Sequence, residues 1–248
     1  MKKIYLIILV LGLVVMNGAL FEAKSEAPED ILQKATSKIL EQKQAKDKKT
    51  EVIESGEIIF RVKRTNLWLK EKPRDKKPDE FAEAVLLGKL YSPLKEIQMV
   101  EKKEDVDRST VENAIASVFS ANRSGDLDWI SDNFTDTDKQ KIKTLFKNKK
   151  VLEESKSDAE KIISIYIIGQ ADYKGAVLVF VQENYVDGRK LKESLACKET
   201  EKGWKVTNEF SKDKTFDIVF AALSSGEFSL KGKELLKKEV PVVKDSKS

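Results

Sequence analysis

The sequence predicts an α+β protein: a run of helices followed by a meander of antiparallel strands, with a smaller strand-rich segment ahead of it. Three observations predict this. Apolar residues fall at helical spacing between 111 and 146. From 162 onward the period changes to two, with Ile163, Ile165 and Ile167 alternating with Ile162, Ser164 and Tyr166. Turn signals at Asp187-Gly188 and Lys202-Gly203 then divide the remaining apolar sequence at hairpin spacing.

Taken in order, residues 1–27 read as a secretory signal. Met1-Lys2-Lys3 is a basic start, Ile4 to Phe21 is almost wholly apolar, and Ser25 and Ala27 set small residues at the third and first positions before a cleavage after Ala27. The expected destination is outside the cytoplasm, periplasmic or extracellular and associated with the cell envelope. The rival reading keeps the leader as a membrane anchor, since 18 apolar residues approach the length of a bilayer span. Lipid modification at a new N-terminal cysteine is not expected, because Cys197 is the one cysteine. Residues 28–51 follow as a helix and linker. Ile31, Leu32, Ala35, Ile39 and Leu40 make a helical stripe, and the stretch from Lys43 to Lys49 is a solvated spacer.

Residues 52–105 form a first compact module. Ile58, Phe60 and Val62 alternate with polar residues, as in a half-buried strand. A turn at Arg64-Thr65-Asn66 precedes Leu67-Trp68-Leu69, and Pro73 and Pro78 bracket a charged loop. The stretches Asn66-Leu67-Trp68-Leu69-Lys70-Glu71-Lys72-Pro73 and Val85-Leu86-Leu87-Gly88-Lys89-Leu90 resemble the strand-and-loop pattern of bacterial SH3-like modules, with Lys70 where that pattern has arginine. The resemblance covers about 45 residues and implies a small β module whose groove binds peptides. Trp68 and Tyr91 are the candidate residues for such a groove.

Residues 108–212 form the second module. Ser109-Thr110-Val111-Glu112 reads as a capping box with Ser109 as N-cap. Val111, Ala114, Ile115, Val118 and Phe119 share one helical face, and Gly125 stops the helix. Asp126 caps a second helix carrying Trp129, Ile130 and Phe134. A third begins near Asp136 with Ile142, Leu145 and Phe146 inward. Strands follow over 162–167, 176–181, 192–200 and 204–210, with a turn from Gly169 to Lys174. This layout resembles the nuclear-transport-factor-like (SnoaL-like, cystatin-cone) superfamily. The stretches that carry the resemblance are Val111 to Phe119, Gly125-Asp126-Leu127-Asp128, Phe134-Thr135 and Gly203-Trp204-Lys205-Val206. It implies a curved sheet over the helices with a conical pocket, lined by Trp129, Tyr166, Phe180 and Tyr185. Trp129, Tyr166 and Tyr185, with Trp68 and Tyr91, complete the candidate ligand-binding set. An acid–base set of Tyr166, Tyr185 and Asp172 is the isomerase-like alternative within that family.

Residues 213–230 are a return segment. They read either as a short helix or as the last strand of the first module, with the second module inserted. Residues 231–248 read as a charged tail.

Composition narrows the chemistry. The 248 residues include 46 Lys and Arg against 42 Asp and Glu, a net of +4 that does not concentrate the basic face nucleic acids require. The chain has no histidine, which removes His-based triads, imidazole metal sites and the ordinary switch near neutral pH. With one cysteine as well, structural zinc is excluded and no internal disulfide forms. Cys197 reads as a small buried apolar residue, and Lys139, Lys143, Lys147 and Lys150 as the solvated face of a helix.

The sequence therefore predicts a non-enzymatic binding protein of the envelope. It has no cofactor, metal or nucleic-acid partner. It recognises a protein, a peptide or a cell-wall component, and meets the membrane only if the leader stays. The alternatives are a carrier or isomerase-like enzyme using the cone, and an anchored assembly subunit.

Overall fold

The computed structural model describes residues 52–69, 81–225 and 227–237. The leader, the helix and linker of 28–51, the charged loop between Pro73 and Pro78, and the chain after Lys237 lie outside the described residues. Both helices and strands are present, as an α+β protein requires. Strands β1 (Val52–Lys63) and β2 (Phe81–Ile97) come first. Helices α1 (Val111–Ser124), α2 (Leu127–Asp132), α3 (Asp136–Phe146) and α4 (Lys149–Glu160) follow. Then come β3 (Ile162–Tyr173), β4 (Ala176–Tyr185), β5 (Lys190–Thr200), β6 (Gly203–Val206), α5 (Lys214–Ser225) and β7 (Phe228–Lys237).

The helices form where local chemistry allows. The N-cap of α1 is Thr110, one residue later than the capping box suggests. Its hydroxyl accepts from the Asn113 N–H at 3.2 Å, while Ser109 turns back to Asp107 and Glu112 pairs with Lys95 at 2.9 Å. Gly125 closes α1 at φ 72°, a left-handed conformation that glycine adopts without strain. Asp126 caps α2 by accepting from the Trp129 N–H at 2.9 Å, as its place in the sequence predicts. Helix α4 escapes the periodicity reading because its inward face is small and polar: Ser155, Asp158 and Ala159 are its buried residues.

All seven strands join one antiparallel sheet in the order β6-β5-β4-β3-β2-β1-β7. The strands of the first segment are therefore continuous with those after the helices, through the pairing of β2 with β3. The turn expected from Gly169 to Lys174 is tighter: β3 runs to Tyr173, and Lys174 and Gly175, both at positive φ, make the reversal. The return segment is mostly helix, over Lys214–Ser225, and the strand that pairs with β1 lies further on. That strand takes in residues 231–237 of the expected tail.

The sheet has an apolar layer on each face, and the two are separate. Helices α1–α4 cover one, with Ile115, Phe119, Ile142, Phe146, Ile165, Ile167, Val179 and Val181 in its core. On the other, Ile58, Phe60, Val62, Leu178 and Phe180 pack with Val219, Ala222 and Leu223 of α5. The second layer shows how strongly the sheet curls. Phe60 on β1 and Phe180 on β4 lie three strands apart, about 14 Å in a flat sheet. Their rings meet edge to face with centroids 5.3 Å apart. Lys192 on β5 and Phe228 on β7 are five strands apart, yet the ammonium sits 5.6 Å from the ring centroid. The sheet thus wraps around α5, which bridges β1, β2 and β5.

The bend is built into β2 and β3. Between the pairs Leu90↔Gly169 and Lys95↔Ile167, β2 advances five residues while β3 advances two. Just before this bulge the two backbones approach closely. A Cβ on Gly169 would lie 2.3 Å from the Lys89 carbonyl oxygen, and one on Gly88 would lie 2.4 Å from that of Gln170.

Candidate functional site

The five aromatic residues singled out by sequence do not converge on one pocket. Trp129 is buried, and its indole N–H donates to Ser117 Oγ at 2.9 Å. Ser117 in turn donates to Asn133 Oδ1 at 2.6 Å, and Arg108 Nη2 donates to the same oxygen at 2.8 Å. That chain of bonds locks α1, α2 and the approach to α3 together. Asn133, the head of a glycosylation sequon, is consumed by it and buried. Tyr91 is buried at the edge of the same core, with Lys89 and Lys95 near its ring. Tyr166 is half-buried beside Gln182, and Phe180 belongs to the layer on the other face. Trp68 is half-buried with its ring edge-on to Phe220 of α5 at 6.2 Å. Its backbone N–H and that of Leu69 donate to the two oxygens of Asp217, at 3.0 and 2.8 Å.

Tyr185 has polar company that the sequence reading missed. Its hydroxyl donates to Glu183 Oε2 at 2.7 Å. Glu183 is 1% exposed, and its carboxyl shares a hydrogen bond with that of Glu193, which is half-buried on β5. Asp172 is exposed at the other end of β3, so the Tyr166–Tyr185–Asp172 set is not assembled. Burial raises the Glu183 carboxyl to about 7, against the opposing Tyr185 hydrogen bond, and the nearby Asp158 charge raises it further. Burial raises Glu193 as well, with Glu183 as the second cause. Two carboxyl groups in contact cannot both hold a charge away from water, so the pair keeps a proton between them. The Arg189 guanidinium lies 4.6 Å from the Tyr185 ring centroid. The signal was present in the sequence: Val179, Val181, Glu183 and Tyr185 share one strand face, so a carboxyl stands in phase with the core.

The helix-covered side of the sheet is filled by side chains. Ile115, Phe119, Ile130, Phe134, Ile142, Phe146, Ile162, Ile165 and Ile167 all lie in its core, each almost wholly buried. Cys197 is enclosed in the same layer, and burial alone pushes its thiol up to about 12, so it is an inert apolar filler. Among the described residues, no group of His, Cys, Asp or Glu forms a metal-binding cluster. No helix of the described residues is long and apolar enough to cross a membrane.

The outer face of the β1–β2 hairpin is the opposite case. Phe81, Val85 and Leu87 are 40%, 47% and 68% exposed. They project from the same side of β2, in a row that exposed Glu83 interrupts between Phe81 and Val85. Ile59, directly opposite Val85, extends the strip onto β1. Glu57 stands opposite Leu87, Arg61 opposite Glu83, and the Arg61 guanidinium lies 4.3 Å from the Phe81 ring centroid. Lys231 on β7 pairs with Glu57 at 3.6 Å. The result is an apolar ridge about 20 Å long, edged by charges of both signs.

No protein-family model, curated protein or solved structure matches this chain.

Proposed function

We propose that this is an exported, non-enzymatic binding protein that engages a protein or peptide partner through the outer face of β1–β2. The observation that carries the reading is the exposure of Phe81, Val85 and Leu87 along one strand face, while Trp129, Phe180 and Tyr185 of the aromatic set nominated for a cone are buried in the two core layers. An apolar ridge with a mixed-charge rim is the usual anatomy of a protein contact. The basic start and apolar run of residues 1–27 support export. The SH3-like resemblance supports placing recognition in the 52–105 segment. The nuclear-transport-factor-like resemblance draws support from helices preceding four antiparallel strands, and would make the second segment a platform for the first.

A photo-crosslinking residue at position 87, with a control at exposed Asp172, tests this in an envelope extract. A protein adduct at 87 that is absent at 172, and that is lost when Val85→Glu is added, is the expected result. Leu87→Glu alone is expected to leave the melting temperature within a degree or two, because its side chain is mostly in water already. Saccharide adducts alone would redirect the reading to a wall ligand. Equal labelling at both positions would overturn it.

A second reading rests on Glu183. A carboxyl raised to about 7 and bonded to a tyrosine is the equipment of a general acid or base. The carrier or isomerase-like alternative would use this group. It requires a small molecule to co-purify with the wild type and to be lost in Glu183→Gln.

A further inference from the structure

A second, independent feature lies where β6 meets the entry to α3. The two segments are joined by backbone bonds. The Val206 N–H donates to the Asn133 carbonyl at 2.9 Å, and the Thr135 N–H donates to that of Val206 at 2.9 Å. Arg108 is held against the start of β6, because the Trp204 N–H donates to its carbonyl at 2.9 Å. Gly203 permits this approach: a Cβ there would lie 2.5 Å from the Arg108 carbonyl oxygen. The two cationic side chains so gathered are poorly satisfied. Lys205 is 6% exposed, and its one partner among the described residues is Asp136 at 3.9 Å. Asp136 is itself largely in water, so the pair stabilises little. The Nε of Arg108 is buried with no hydrogen-bond partner, its Nη2 being taken by Asn133. A buried cation without partners is costly unless something answers it.

The surrounding charge does not answer it. Burial depresses the Lys205 ammonium most, the Asp136 charge opposes this, and Arg108, Lys139 and Lys202 lie close enough to lower it further. The Asp132 charge also acts on Arg108, but that carboxylate is already clasped by Lys103 at 2.9 Å and Lys139 at 2.6 Å. Five cationic groups thus stand around two carboxylates. We infer that Arg108 and Lys205 form a binding site for a small oxyanion of phosphate or carboxylate type, which accepts from the buried Arg108 Nε–H and the Lys205 ammonium. The guanidinium offers directed donors and the ammonium a point charge, a combination suited to an oxyanion and not to a halide.

The test uses full-length protein with three sodium salts at constant ionic strength: phosphate, succinate and chloride. Thermal unfolding and isothermal titration are read for the wild type, Lys205→Met and the control Lys150→Met, an exposed lysine of α4 paired with Glu154. The expected result is a saturable rise in melting temperature with phosphate or succinate over chloride in the wild type and in Lys150→Met. Which of the two is effective identifies the ligand class. Lys205→Met is expected to lose at least about tenfold in affinity, the value of one charge-assisted hydrogen bond. The melting temperature of that variant in chloride shows that it folds, so a lost anion response is read as lost binding. No difference among the three anions in the wild type overturns the inference. So does an undiminished rise in Lys205→Met.

Discussion

Glu183 occupies a position that its strand otherwise gives to apolar side chains, and its consequence is a pH dependence of stability. Its carboxyl titrates near 7 in the folded protein, against an ordinary value near 4.5. The folded state therefore binds more protons than the unfolded state between those values. The contribution is fully present below about pH 4.5 and is lost as pH rises through 7. Glu183→Gln keeps a polar group beside Tyr185 but has no charge to desolvate. The variant is expected to unfold at a higher denaturant midpoint than the wild type at pH 8, with the advantage shrinking towards pH 4.5. Urea titrations at both pH values measure this, and an unchanged difference would remove the carboxyl from the account. At this scale much was readable beforehand. Ile58, Phe60 and Val62 are wholly buried, as their alternation requires, and Gly125 and Asp126 end and begin helices where their chemistry says. The partners of Glu183 were not, because Glu193 reaches it across the β4–β5 pairing.

Elements are set by local signals but joined by contacts those signals do not contain. Helix α5 shows this best. Its apolar run was consistent with helix or strand, since a short run without polar interruption lacks a decisive period. Asp217 accepts from the backbone N–H groups of Trp68 and Leu69, residues nearly 150 positions earlier, and so ties α5 to the exit of β1. Burial raises the Asp217 carboxyl and these two hydrogen bonds lower it, with burial the larger cause. Asp217→Ala leaves two part-buried donors without acceptors and is expected to cost about 2–4 kcal/mol. Asp217→Asn keeps one acceptor and should fall between. Chemical denaturation measures both. Amide exchange at Trp68 and Leu69 should accelerate in the alanine variant before exchange in β4 does.

The whole molecule is held by a sheet that curls until distant strands touch. Phe60 sits at that closure, against Phe180 on one side and Phe228 on the other. Phe60→Ala is expected to cost about 3–5 kcal/mol and to lower a single unfolding midpoint. That midpoint should be shared by the fluorescence of Trp129, read with Trp68 and Trp204 replaced by phenylalanine so that it reports the helix side, and by far-ultraviolet circular dichroism. Separate transitions would mean that the segments before and after α1–α4 fold as independent units. The sequence by itself determined the class of elements, the order of helices before the later strands, the inward residues of α1 and β1, and, having no histidine, the exclusion of histidine-based chemistry. Periodicity, caps and composition are local properties that no fold can alter. Only the tertiary structure decided that β1 and β2 share the later strands' sheet, that β7 closes on β1, that Glu183 meets Glu193, and that Arg108 and Lys205 come together with the Arg108 Nε–H left without an acceptor. Each of these depends on register and curvature, which arise when strands far apart in the chain pair and a glycine-permitted close approach at Gly88 and Gly169 lets the sheet bend.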